Sequence, residues 1–76
     1  MTTTSDVKVT RTVLRNVYGW QLVFIAAESG PDWNTVVVEK SYRGAPAGEL
    51  VLTRDEARAY YRTQTRAGFV RPNAGF

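Results

Sequence analysis

Thr53-Arg-Asp-Glu-Ala-Arg-Ala-Tyr-Tyr-Arg-Thr-Gln-Thr-Arg-Ala-Gly68 is the stretch whose reading decides the fold. It opens on a capping-box pattern, in which a threonine hydroxyl accepts from the amide three residues on and a glutamate reaches back. Asp55 and Glu56 suit the positive end of a helix dipole, and Arg66 suits the negative end. Gly68 can take the left-handed conformation that ends a helix, and Pro72 prevents its resumption. The pattern predicts a helix from Arg54 to Ala67. Within it, Arg54, Arg58, Arg62 and Arg66 recur at every fourth position. Steps of four drift by only about 40°, so the row keeps to one side. Ala57, Tyr60, Gln64 and Ala67 occupy the other side, with Tyr61 at the border. The segment therefore pairs an aromatic inner face with a cationic outer one.

Upstream the periodicity changes from helical to alternating. Val7, Val9 and Val13 alternate with Lys8, Thr10 and Thr12, as in a half-buried strand ending at Arg15. Asn16-Val-Tyr-Gly19 reads as a turn, and the nearly continuous apolar run Trp20 to Ala27 as a central strand. Glu28-Ser-Gly-Pro-Asp32 breaks that run with turn residues. Trp33 to Tyr42 is rich in β-branched and aromatic residues and predicts a third strand. Arg43 to Gly48 reads as a flexible loop, and Glu49 to Leu52 as a short strand leading into the helix. The expected fold is α+β: an antiparallel three- to four-stranded meander with one C-terminal helix packed on one face. Residues 1–6 are expected to form a disordered tail, 7–70 a single domain and 71–76 a loose C-terminal tail.

One helix covers one face of a sheet. Trp20, Leu22 and Phe24 alternate with Val23 and Ile25, and Trp33, Thr35 and Val37 with Val36 and Val38. Both faces thus carry apolar groups, and a second copy or a partner is the natural cover for the remainder. A homodimer is expected, with Val23, Ile25, Val36 and Val38 as candidate interface residues. Trp20, Phe24, Trp33 and Tyr60 are expected in the core, where large rings contribute most. Tyr18, Tyr42 and Tyr61 lie near turns or at the helix border, placed to present rings to a ligand.

Composition narrows the function classes. With 76 residues, 43% of them hydrophobic, the chain has enough apolar material for one small core. It contains no cysteine and no histidine, which removes disulfides, the commonest metal ligands and the usual acid–base residue. No serine has a histidine partner, Glu28 and Asp32 lack calcium-loop spacing, and Gly44 and Gly48 precede no Gly-Lys-Ser/Thr. No enzyme activity, cofactor or metal is expected. No apolar run reaches the eighteen or so residues of a membrane span, and Met1 to Asp6 lacks the basic and apolar regions of a secretory signal. A cytoplasmic address away from membranes is expected. Arginine outnumbers lysine and alanine is frequent, which fits a GC-rich bacterial or phage genome.

The net charge of +3 is unevenly placed. Residues 1–52 carry Lys8, Arg11, Arg15, Lys40 and Arg43 against Asp6, Glu28, Asp32, Glu39 and Glu49. The remainder carries Arg54, Arg58, Arg62, Arg66 and Arg71 against only Asp55 and Glu56. Such asymmetry points to an acidic partner, either a nucleic acid or an acidic protein surface. Guanidinium groups stay charged and present planar, multidentate donors to phosphates. Arg54, Arg58, Arg62 and Arg66 are the candidate phosphate contacts, with Tyr42 and Arg43 as a recognition tip beside the glycine-rich loop. The leading expectation is a non-catalytic nucleic-acid-binding module. The alternative is a protein-interaction, inhibitor or accessory module, of phage or mobile-element type, that uses the uncovered sheet face.

From Lys40 onward the chain resembles a WGR domain. Lys40-Ser-Tyr-Arg-Gly44 stands where that family has its Trp-Gly-Arg strand. Leu52-Thr-Arg-Asp-Glu-Ala57 resembles its strand-to-helix junction, and Ala67-Gly-Phe69 its closing element. The naming tryptophan is absent. The order of strands then helix is also similar to integrase arm-binding and plant ethylene-response-factor domains, and Glu56-Ala-Arg-Ala-Tyr60 resembles the start of the helix in the latter. These resemblances imply nucleic-acid binding and assign no role to any residue.

Overall fold

The computed structural model describes residues 9–28 and 30–72. Four strands, β1 (Val9–Arg15), β2 (Trp20–Ala27), β3 (Thr35–Tyr42) and β4 (Ala45–Thr53), are followed by one helix, α1 (Arg54–Arg66). The sheet order is β1-β2-β3-β4, antiparallel throughout, and the fold is the expected α+β meander with its helix on one face. The disordered tail expected over 1–6 lies outside the described residues, as do the last four residues of the tail expected over 71–76. Among the described residues no helix is long and apolar enough to cross a membrane.

Turn chemistry sets the register. Asn16 accepts through Oδ1 from the amides of Tyr18 and Trp20, both at 3.0 Å, and so closes the β1–β2 turn. The β3–β4 connection corrects the expected flexible loop. Tyr42 pairs directly with Ala45, leaving Arg43 (φ 51°) and Gly44 (φ 88°) as a tight two-residue turn. Positive φ at both central positions matches the twist of a hairpin. Strand β4 therefore begins at Ala45 and includes Pro46 and Gly48 rather than starting at Glu49. An edge strand tolerates both residues, and the pairing accommodates them with a register shift beside Lys40 and Ser41.

Both halves of the capping box form: the Glu56 amide donates to Thr53 Oγ1 at 3.2 Å, and the Thr53 amide to Glu56 Oε1 at 2.9 Å. At the other end, the Phe69 amide donates to the Gln64 carbonyl at 3.0 Å and the Gly68 amide to the Thr65 carbonyl at 3.3 Å. With Gly68 at φ 109°, this is the Schellman arrangement, which satisfies carbonyls the helix leaves open. The exit turns Phe69 into the core and pairs Val70 with Arg15 through two 2.8 Å hydrogen bonds. The helix starts over β3 and β4 and its exit reaches β1, so it crosses the sheet obliquely.

The core lies between this helix and one sheet face: Leu14, Leu22, Phe24, Val36, Val38, Ala57 and Phe69 are buried. Phe24 takes both helix tyrosines, Tyr60 at 6.0 Å and Tyr61 at 5.5 Å between ring centroids. Trp33 and Trp20 depart from the core expectation, being 53% and 38% exposed. They sit just before β3 and at the first residue of β2, at opposite ends of the sheet, and a 13-residue helix spans only about 20 Å between them. Phe24→Ala is expected to destabilise the domain by about 3–5 kcal/mol. Thr53→Ala, which removes one cap, is expected to cost about 1 kcal/mol. Urea melts of the two variants check the ranking, and a Phe24→Ala curve no worse than that of Thr53→Ala contradicts it.

Candidate functional site

The four-arginine row divides at its first member. Arg54 is half-buried, its Nε donates to the Trp33 carbonyl, and its Nη2 donates to the Ala27 carbonyl. Its guanidinium carbon also lies 5.6 Å from the Trp33 ring centroid. Helical side chains lean toward the helix N-terminus, so a residue in the first turn points back over the segment before it. For Arg54 that segment is the end of β2 and the approach to β3. Arg54 therefore braces helix to sheet, with Nε and one Nη2 donor held by main-chain carbonyls, which sets it apart from the exposed arginines that follow it in the row.

Arg58, Arg62 and Arg66 remain on the exposed side of the helix. Arg58 touches Asp55 at 3.4 Å, a pair so exposed that it adds little and yields readily to a stronger anion. Among the described residues, Arg62 and Arg66 pair with no carboxylate. Arg58 and Arg62 also form one rim of a groove of about 410 Å³ between the helix and β1, with Phe24, Ala26 and Tyr61 on its floor. Thr10 and Glu28 stand on the opposite rim, where the Thr10 hydroxyl donates to Glu28 Oε2 at 2.9 Å.

Tyr42 and Arg43 lie at the far end of the sheet from Arg54. The Arg43 guanidinium carbon is 5.4 Å from the Tyr42 ring centroid, and Tyr42 packs on Trp20 at 4.9 Å. The Arg43 amide donates to the Gly19 carbonyl at 2.8 Å, which ties the two turns of this end together. Glycine suits position 19, where φ is 97° and a Cβ would stand 2.8 Å from Arg43 Cγ. Tyr18, 71% exposed, flanks the cluster, and Tyr18, Trp20 and Lys40 share a second groove with Gln64 and Ala67 at the end of the helix. The residues expected as a recognition tip thus form an aromatic and cationic cluster, which lies toward the helix end that carries Arg66 rather than beside Arg58.

The candidate interface residues also divide. Val36 and Val38, 4% and 0% exposed, lie beneath the helix, so their expected place on the uncovered face is corrected. Val23 and Ile25 do lie on that face. The strand pairing joins them to Val13, Val37 and Val51, with Val51 66% exposed. The pairing also aligns charged groups that strand alternation alone leaves unmatched: Arg11 and Arg15 on β1, Glu39 and Glu49 on β3 and β4. Their common parity with Val13 and Val37 was the available signal, but it became readable only once the register was set. Among the described residues, no group of three or more potential ligand side chains could hold a metal ion.

No family model matches the chain, and no curated protein or solved structure matches it significantly.

Arg54→Ala strips hydrogen bonds from the Ala27 and Trp33 carbonyls and is expected to destabilise the domain by about 1–3 kcal/mol. Arg62→Ala is expected to stay within about 0.5 kcal/mol of the parent, as for other exposed substitutions. Thermal melts of the two variants test the division, and equal melting temperatures contradict it.

Proposed function

We propose that the protein is a small non-catalytic binding module that holds nucleic-acid phosphates on the outer face of its helix through Arg58, Arg62 and Arg66. The observation that carries this reading is the supply of exposed guanidinium groups on one rigid element, two of them without a carboxylate partner among the described residues. Positions 58 to 66 span about 12 Å along the axis, room for successive phosphates of a strand. The aromatic and cationic cluster of Tyr18, Trp20, Tyr42 and Arg43 extends the surface past the end of the helix, where exposed rings can stack on unpaired bases. The resemblance of the C-terminal half to WGR domains points the same way.

The open sheet face carries a second reading, a protein-interaction surface, because α1 leaves there a continuous aliphatic patch of half-buried Val13, Val23, Ile25 and Val37 with exposed Val51. Its proposed occupant is a second copy of the chain.

Three phosphate contacts give an expected log–log slope of affinity against salt of about −2.7, from roughly −0.9 per contact on duplex DNA. Arg58→Ala combined with Arg62→Ala is expected to shallow the slope by about two contacts and to leave the fold intact, since alanine is a good helix former. Fluorescence anisotropy with labelled duplex and single-stranded oligonucleotides across a salt series measures both. Absence of binding even at low salt overturns the nucleic-acid reading and favours the protein-interaction one.

A further inference from the structure

The open sheet face is self-complementary in charge. Along its length run two central rows, Arg11–Ile25–Val37–Val51 and Val13–Val23–Glu39–Glu49, read across the four paired strands. Arg15 follows on β1, so the β1 side of the face is cationic and the β3–β4 side anionic, with aliphatic groups between them. Glu39 and Glu49 are directly opposite each other across the β3–β4 pair, an arrangement of like charges that costs stability. Among the described residues neither forms an ion pair within the chain, and neither does Arg11 or Arg15. Arg15 instead donates through Nε to Gln21 Oε1 at 2.8 Å. A surface with separated, unpaired charges of both signs around an apolar centre meets the requirement of an isologous interface, in which the same patch serves both subunits.

Resting on the reading of this face as an association surface, we infer that two copies pack sheet to sheet about a two-fold axis running parallel to the strands. That operation lays β1 of one copy over β4 of the other and β2 over β3, and it conserves the level of each residue along the axis. Ile25 of each copy then meets Val37 of the other in a dry centre. Arg11 and Arg15, two residues to either side of the level of Val13, straddle Glu49 opposite, with Glu39 one strand spacing further in, about 4.8 Å. An axis across the strands would instead stack β1 on β1 and set arginine on arginine. The charges thus select both the occupant and the orientation. Four strands by seven residues give a face of about 19 by 23 Å. This is at the small end of specific interfaces, which fits a reversible dimer rather than an obligate one.

Sedimentation velocity across a concentration series up to about 300 µM tests the pairing, a range in which a small specific interface is expected to populate its dimer. It uses the parent chain, an acidic variant carrying Arg11→Glu with Arg15→Glu, and a basic variant carrying Glu39→Arg with Glu49→Arg. Circular dichroism confirms that each is folded. The parent is expected to dimerise, and each variant alone to associate at least about tenfold more weakly, since like charges then face each other. An equimolar mixture of the two variants is expected to recover parent-like association, because every facing pair is again of opposite sign. If the parent dimerises but the mixture gains nothing over the separate variants, the proposed orientation is overturned while self-association stands. If the parent stays monomeric throughout, the association reading of this face falls with it. Should a variant fail to fold, the parent decides alone: its dimer is expected to weaken as salt rises, and a salt-insensitive dimer contradicts the charge pairing.

Discussion

The grip of Phe24 on Tyr60 and Tyr61 is the contact on which the rest of the structure depends. It seats the helix across the middle of the four-stranded sheet, and among the described residues no second element covers the opposite face. Everything else follows from that shortage. The helix buries Leu22, Val36 and Val38 beneath it and leaves Val23, Ile25 and Val37 on the far side. Its own outer face, freed from packing, can be filled with arginine at little cost because arginine is a good helix former. The molecule consequently presents two chemically distinct surfaces back to back, one cationic and one aliphatic with charged margins.

Much of this architecture is legible in the sequence because its determinants are local. The cap at Thr53 and Glu56 and the stop at Gly68 are each specified within four residues, and the helix forms between them. Strand β2 has the expected bounds because its apolar run is uninterrupted between two turns. Strand β4 is less legible. Pro46 and Gly48 read as breakers, yet at a sheet edge a proline leaves no ladder hydrogen bond unmade on its solvent side.

The site is less readable than the fold, for reasons that are not local. Residue spacing places Arg54 with Arg58 and Arg62, but the backward lean of first-turn side chains carries its guanidinium to the Ala27 and Trp33 carbonyls. Alternation separates Val36 and Val38 from Val37, but which set the helix covers depends on pairing between strands. The same pairing brings Glu39 against Glu49 and Arg11 against Ile25, residues far apart in the chain. Aromatic size favours a buried Trp33, yet its position before β3, at the first turn of the helix, leaves it half-exposed under the Arg54 guanidinium instead.

The proposed division of labour puts anion binding on the outer face of the helix and self-association on the open face of the sheet. Side-chain NMR tests it most directly, by following the arginine Nε–H and the valine and isoleucine methyl signals of one sample through two titrations. Adding a short oligonucleotide is predicted to shift Arg58, Arg62 and Arg66 while the methyls of Val23, Ile25, Val37 and Val51 stay in place. Dilution of the protein alone is predicted to do the reverse. Oligonucleotide shifts concentrated on the sheet methyls, or the same residues responding to both titrations, would contradict the division.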